Sequence, residues 1–415
     1  YKPALIYWCQ IASFRALGVN DFSARLPSAL FTIATALLLA RWGLKAADAK
    51  TGFLAGAMFL TALHITIIGR IATADMALIF FFTLATWSGW ELTRPHQPSR
   101  LKWWLIFYVA LALGFLAKGP EAWLPLGAVM LGRAMRKESF RLSLIETIGG
   151  LALTVAIVAS WGIPALERTH GMFWAVGMNE QVYQRAVAIN NSHGVSGLLG
   201  FILLLPFYFI TFFVSFLPWS TRVPGSLRRW WRKRERDDLD WYSLIVAALV
   251  FVVFSLVKTK LPHYTAPAFP MIALWLARQI SGEARLAAWF VKRFAAMIIL
   301  VLVVMLGVFS CARGSWLTSN LWRATRAYVT PGTKVGCFGY VEPSLVWKFR
   351  SVVTNTVVLG DEHSAKDFLT NQPPFILVLP TADVGSLPDT NGRRIQVRGL
   401  DMVRFKERDL TAIVR

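Results

Sequence analysis

What most constrains this chain is a succession of long apolar stretches whose connecting loops alternate between strongly basic and nearly free of charge. Ten stretches approach the length needed to cross a hydrocarbon core of about 30 Å. They lie near 23–40, 52–68, 75–92, 103–117, 121–132, 145–165, 197–217, 241–257, 265–277 and 294–311. The fifth and ninth are short, so a tilt, a break or a polar flank has to complete them. One set of loops carries Arg41, Lys45 and Lys50, then Arg94, Arg100 and Lys102, then Arg133, Arg136, Lys137 and Arg141. It continues through the basic run 222–236 to Arg278, Arg285, Lys292 and Arg293. The other set holds only Arg70, Lys118, Arg168, Arg185, Lys258 and Lys260. Lys and Arg are retained on the cytoplasmic side of a membrane, which makes the first set cytoplasmic and the second exoplasmic. The expected fold class is an all-α polytopic membrane protein with about ten transmembrane helices, in domain 1–311.

Composition narrows the partners. Charged residues make up 16% of the 415, where a soluble domain carries about 25%. The net charge of +21 lies between apolar runs too long for soluble helices, so it reads as loop retention, and nucleic acid is not an expected partner. The 18 Trp suit the headgroup level. Cys9, Cys311 and Cys337 match neither a metal-ligand spacing nor a disulfide framework. Residues 1–18 present Leu5, Trp8, Ile11, Ala12 and Phe14 at helical spacing, which predicts a helix lying in the interface. Beyond 311 the chain turns polar. Short β-like runs at 334–338, 352–359 and 375–379 and helical runs at 341–349 and 364–370 predict a small soluble α/β domain, 312–415, on the exoplasmic side.

The exoplasmic segments are short, sit at helix ends and carry most of the chemistry. They are Lys2-Pro3, Gly69-Arg70-Ile71-Ala72-Thr73-Ala74-Asp75, Ala117-Lys118-Gly119-Pro120-Glu121, the loop 166–196 and Lys258-Thr259-Lys260-Leu261-Pro262-His263-Tyr264. A single lysine there reaches lipid phosphates by snorkelling. Several cations in one compartment suit an anionic ligand better, because a phosphate spreads charge and hydrogen bonds over its oxygens. Such a ligand would keep its apolar tail in lipid. Lys258 and Lys260, two apart, point the same way on an extended loop, which Pro262 favours by keeping Leu261 out of helical geometry. His263 and Tyr264 add donors to an oxygen. Asp75 opens a helix, where the dipole favours a carboxylate, and Arg70 stands five residues away as its expected ion-pair partner. The loop 166–196, with Glu167, His170, Glu180 and His193, is expected to be a lid or acceptor-contact segment. Its His and Glu spacing matches no metal-ligand pattern, so a divalent metal ion stands only as an alternative.

Lys2-Pro3-Ala4-Leu5-Ile6-Tyr7-Trp8, the stretch Asp21 to Ser28, Gly69 to Asp75, Lys118-Gly119-Pro120, Pro218-Trp219-Ser220 and the 258–264 loop with Pro267 and Pro270 occur in order over residues 1 to about 280. Together they resemble the bacterial lipid-linked-sugar glycosyltransferases related to aminoarabinose transferase and protein O-mannosyltransferases. The resemblance implies a C-type glycosyltransferase fold in the bacterial inner membrane. It implies transfer of a sugar from a polyprenyl-phosphate donor to a periplasmic acceptor, which could be lipid A, another envelope glycan or a protein. It implies that Lys2, Arg185 and Tyr264 contact the donor phosphate; Arg70, Lys118, Lys258, Lys260 and His263 join them as expected phosphate ligands. Asp75 is the catalytic candidate in this chain, with Glu180 and His193 on the acceptor side. The family's acidic residue in the first exoplasmic loop lies upstream of the Lys-Pro motif. Here Tyr1 precedes that Lys, and Ala4 replaces the motif's second Pro. The chain is therefore expected to be truncated at its N-terminus, and inactive by itself. A transporter or flippase of a lipid-linked or anionic solute is the rival reading. It predicts ionisable groups near mid-membrane on broken helices, whereas the charges here fall at the ends of apolar runs.

Overall fold

The computed structural model describes residues 2–94, 97–135, 143–177, 179, 204–233, 237–283, 286–303, 306, 316–340, 342–350, 356–388, 392–401 and 406–415. The chain divides into two compact units, Tyr1–Met297 and Ile298–Arg415.

The first unit is helical. A short helix α1 (Leu5–Leu17) leads through Asn20 into α2 (Asp21–Ala46). Asn20 starts α2 with a capping box: its side chain accepts from the backbone N–H of Phe22 and Ser23 at 3.0 and 2.9 Å, and the Ser23 hydroxyl accepts from the Asn20 N–H. Asp48 caps α3 (Ala49–Thr61) by accepting from the Thr51 N–H alone. The two helices pack backbone against backbone. A Cβ built on Gly52 would lie 2.3 Å from the Ala40 carbonyl oxygen, and one on Gly43 would lie 2.7 Å from the Gly52 Cα. Small residues at a helix contact allow this approach, and helices in lipid associate chiefly through such packing.

At Ala62 the backbone becomes extended and the helix breaks, restarting as α4 (Leu63–Ile68). Next come α5 (Asp75–Thr93), α6 (Arg100–Ala117), a 3-10 turn (Pro120–Trp123), α7 (Leu124–Met135) and α8 (Leu144–Arg168). Further along are α9 (Phe207–Ser215), a 3-10 turn (Trp219–Arg222), α10 (Val223–Trp231) and α11 (Asp238–Leu256). A 3-10 turn (Pro262–Ala268), α12 (Phe269–Ile280) and α13 (Leu286–Val303) follow.

Among the described residues, four helices are long and apolar enough to cross a membrane: α2, α6, α8 and α11. This falls short of the ten stretches expected, and local structure accounts for much of the difference. The stretch 52–68 breaks at Ala62, and the stretches 121–132 and 265–277 both open as 3-10 turns. The stretch 75–92 forms a 19-residue helix with Asp75 and Glu91 near its ends. The stretches 197–217 and 294–311 lie partly outside the described residues.

The basic ends of the helices are stitched by buried carboxylates. Glu91 takes Lys45 at 2.7 Å and the Trp87 indole N–H at 3.0 Å. Asp240 takes Arg278 and Gln279 at 2.8 and 2.9 Å, and Arg278 also donates to the Ala46 carbonyl. On α1 the buried positions are Ile6 and Ser13, while Trp8 and Ile11 of the anticipated apolar face are exposed. An exposed apolar face is what a helix against lipid presents.

The second unit contains α14 (Leu317–Thr325), β1 (Lys334–Phe338), α15 (Pro343–Phe349), β2 (Thr356–Leu359), α16 (Glu362–Leu369), β3 (Phe375–Pro380), β4 (Arg393–Asp401) and β5 (Lys406–Val414). Its sheet has the order β2-β1-β3-β5-β4. The first three strands are parallel, and β5 runs antiparallel to both β3 and β4. The β1, β3 and helical runs were legible in the sequence; Val352 to Asn355 lie outside the described residues. Strands β4 and β5 were not anticipated. Arg393, Arg394 and Arg398 break up the apolar positions of β4, and β5 opens on the charged run Lys406 to Asp409 before its buried stretch Leu410 to Val414.

Candidate active site

The site is built where the starts and ends of unit-one helices converge. Asp75 occupies the first position of α5, where the unpaired N–H groups favour an anion. Lys118 ends α6, its N–H bonded to the Gly114 carbonyl. The chain must then reverse at once. Gly119 does this at φ 128°, a region a side chain would strain, and Pro120 opens the 3-10 turn that carries Glu121. Beneath these segments Ile6 of α1 packs with Ala74, Ala77, Leu78, Ala117 and Ala122 in one apolar cluster, which ties the Lys2-Pro3 segment to the ends of α5 and α6.

Lys118 Nζ lies 2.8 Å from Asp75 Oδ1 and 3.3 Å from Glu121 Oε1, with all three side chains less than one-fifth exposed. It also lies 5.4 Å from the centre of the Tyr264 ring. Burial opposes its charge, but Glu121 and Asp75 outweigh that penalty and hold the ammonium protonated well above its ordinary range. The lysine serves as an internal counterion to two carboxylates, which lets Asp75 stay charged in a largely buried place. The anticipated Arg70–Asp75 pair does not form. Arg70 is exposed and donates to the Thr66 carbonyl one turn back, while Asp75 pairs with a lysine 43 residues away.

The 258–264 loop closes a second side. Leu261 is extended, as the following proline requires, and Pro262–Ala268 then winds into a 3-10 turn. Lys258 and Lys260 do not share an environment. Lys258 is half-buried, whereas Lys260 turns inward and donates to the Phe254 and Ser255 carbonyls at the end of α11. Its ammonium also lies 5.4 Å from the Tyr208 ring centre, and burial lowers its pKa to about 8. The Tyr208 hydroxyl accepts from the Leu261 N–H at 3.3 Å. Tyr264 is buried against Phe254, with the His263 ring edge-on at 5.0 Å. Burial first, and Lys118 next, lower the His263 pKa to about 4, against the pull of Asp75. The charge on half-buried Lys2 also acts on His263. Lys2, Asp75, Lys118, His263 and Tyr264 therefore share one neighbourhood. Arg185, Glu180 and His193 lie outside the described residues.

Three further members escaped the sequence reading. Glu121 stood in a quoted motif, and its three-residue spacing from Lys118 was the signal. His64 interrupts an apolar run, and Tyr208 sits in an aromatic one that looks like a lipid belt. Among the described residues, no group of three or more His, Cys, Asp and Glu side chains is placed to hold a metal ion.

A family model described as dolichyl-phosphate-mannose-protein mannosyltransferase matches residues 1–161. The chain is 28% identical over 322 residues to an undecaprenyl phosphate-alpha-4-amino-4-deoxy-L-arabinose arabinosyl transferase of Pectobacterium atrosepticum, covering 75% of this chain and 55% of that protein. It is 29% identical over 321 residues to the enzyme of the same name from Aeromonas salmonicida, covering 73% and 56%. The chain thus spans about half the length of the curated relatives it matches. The crystal structures of ArnT from Cupriavidus metallidurans, bound to undecaprenyl phosphate and in the apo state, superpose with TM-scores of 0.68 and 0.70. Identity is 15% and 16%, and the match covers 99% of this chain and 87% of each of those. At that identity the likeness speaks for the fold.

Proposed function

We propose that this aminoarabinose-transferase-like chain, which has the C-type glycosyltransferase fold, belongs to an integral-membrane enzyme moving a sugar from a polyprenyl-phosphate donor to a periplasmic acceptor. The acceptor would be lipid A, another envelope glycan or a protein. Residues 1–311 would form the membrane domain, with about ten crossings, and 312–415 a periplasmic domain. The observation that supports this reading best is the Asp75–Lys118–Glu121 knot set against the His263-Tyr264 turn. It combines a carboxylate held ready by a counterion with a neighbouring surface of cationic and hydroxyl donors.

In the proposed reaction the acceptor oxygen attacks the anomeric carbon as the bond from that carbon to the phosphate oxygen breaks. Polyprenyl phosphate departs with the electron pair, and its charge grows in the transition state. Donors already in place stabilise that charge without reorganising. Lys2, Lys258, Arg185 and the Tyr264 hydroxyl fill this role in the proposal. Lys118 and Lys260 act one step back, fixing Asp75 and the end of α11. The acceptor proton passes to a carboxylate on the far side of the sugar, for which Asp75 is the candidate. The buried charges Glu91 and Asp240 sit near helix ends in ion pairs, an arrangement that does not suit a transport path.

The test is transfer of radiolabelled sugar from undecaprenyl-phosphate donors by membranes carrying the full-length protein. Asp75→Asn is expected to lower transfer by about 100-fold or more, within the range of a lost general base. Tyr264→Phe should lower it by about 10-fold, consistent with one hydrogen bond to a charged oxygen. Undiminished transfer in both variants would refute the assignment.

A further inference from the structure

The break at Ala62 fixes His64 in place. Having lost its helical partner there, the Leu63 N–H donates to the Leu217 carbonyl at 2.9 Å, and the Trp219 indole N–H donates to the Thr61 hydroxyl at 3.0 Å. The half-buried His64 stands one residue beyond, its ring edge-on to Phe269 at 6.5 Å. Its Nε2 is buried and has no hydrogen-bond partner among the described residues. A buried polar nitrogen in that condition costs about 1–3 kcal/mol and calls for a reason. Its neighbours set it apart from other buried polar atoms: Asp75 acts on it electrostatically, and it acts in turn on His263. In the adjoining loop the Thr259 hydroxyl is likewise buried without a partner. Two buried polar atoms thus border the site without a hydrogen bond among the described residues.

A hydroxyl pairs with a neutral imidazole nitrogen in either tautomer, donating to a bare nitrogen or accepting from an N–H. A phosphate oxygen pairs only with the N–H form. We propose that His64 Nε2 hydrogen-bonds a hydroxyl of the donor's sugar, and so helps the site distinguish a sugar-bearing polyprenyl phosphate from the spent carrier. The assignment rests on the donor reading above and adds a residue to it.

The experiment measures binding of two lipids to the detergent-solubilised full chain: undecaprenyl phosphate alone and undecaprenyl phosphate-α-4-amino-4-deoxy-L-arabinose. His64→Leu is expected to weaken binding of the sugar-bearing lipid by about 3- to 10-fold, the size of one net hydrogen bond, and to leave the bare lipid within about twofold. His64→Gln, which keeps a polar nitrogen in reach, should restore part of the preference. Equal weakening of both lipids by His64→Leu would mark a phosphate contact or a packing role and overturn the proposal. So would no weakening of either while the wild type binds both. A wild type that holds neither lipid overturns the donor reading itself, and this assignment with it.

Discussion

At the scale of single residues, the buried charge of Lys118 is matched by one carboxylate close in sequence, Glu121, and by one remote from it, Asp75. Lys118 answers Asp75 across 43 positions, while nearby Arg70 turns back to the Thr66 carbonyl in α4. Local spacing could reveal Lys118 with Glu121, but only the packing of α5 on α6 could reveal Asp75. His263 makes the energetic side measurable. Its pKa of about 4 in the folded state lies below its ordinary 6.5. Between those values the unfolded chain binds more protons than the folded one, so stability falls as pH drops through the window and is level above about 6.5. The difference corresponds to at most roughly 3 kcal/mol. Thermal unfolding in detergent should show Tm falling from about pH 6.5 toward pH 4. His263→Asn should flatten that part of the slope; an unchanged slope would remove His263 as its source.

At the scale of elements, the sequence announced which segments would be helices more clearly than where they would stop. Asn20 and Asp48 as caps, and Pro120 and Pro262 as turn openers, act locally and are legible. The break at Ala62 is not, because no proline or glycine marks it and its support comes from residues 217 and 219. Close contact of α2 with α3 is half-legible: glycines in an apolar run suggest it without naming the partner. It yields a paired prediction. Gly52→Ala places a methyl group against the Ala40 carbonyl, and overpacking of this kind costs about 1–3 kcal/mol. Gly162→Ala, in α8 with open space around it, should instead gain up to about 1 kcal/mol from helix propensity. Tm values moving in opposite directions would support the backbone contact, and a neutral Gly52→Ala would contradict it.

At the scale of the whole molecule, loop charge predicts sidedness. With native cysteines replaced by serine, Gln372→Cys in the second unit should react with a membrane-impermeant maleimide in cells with a permeabilised outer membrane. Arg228→Cys on α10, at the basic side, should react only after the inner membrane is broken; both positions are exposed. The reverse labelling would invert the proposed orientation. The α/β character of the second unit was legible from its apolar strand runs. Its arginine-bearing outer strand was not, because only Ile395 and Val397 mark its buried face among charged and small residues.

The broken helix also carries a consequence for how the chain is made. Thr61 and Trp219, joined across the break, are 158 residues apart. At about 5–20 residues per second, a ribosome needs on the order of ten seconds or more to supply the second after the first. For that interval the segment carrying His64 is already synthesised while its native support does not yet exist. The order of synthesis thus places completion of the break, and of the site beside it, after Trp219 has been added to the chain.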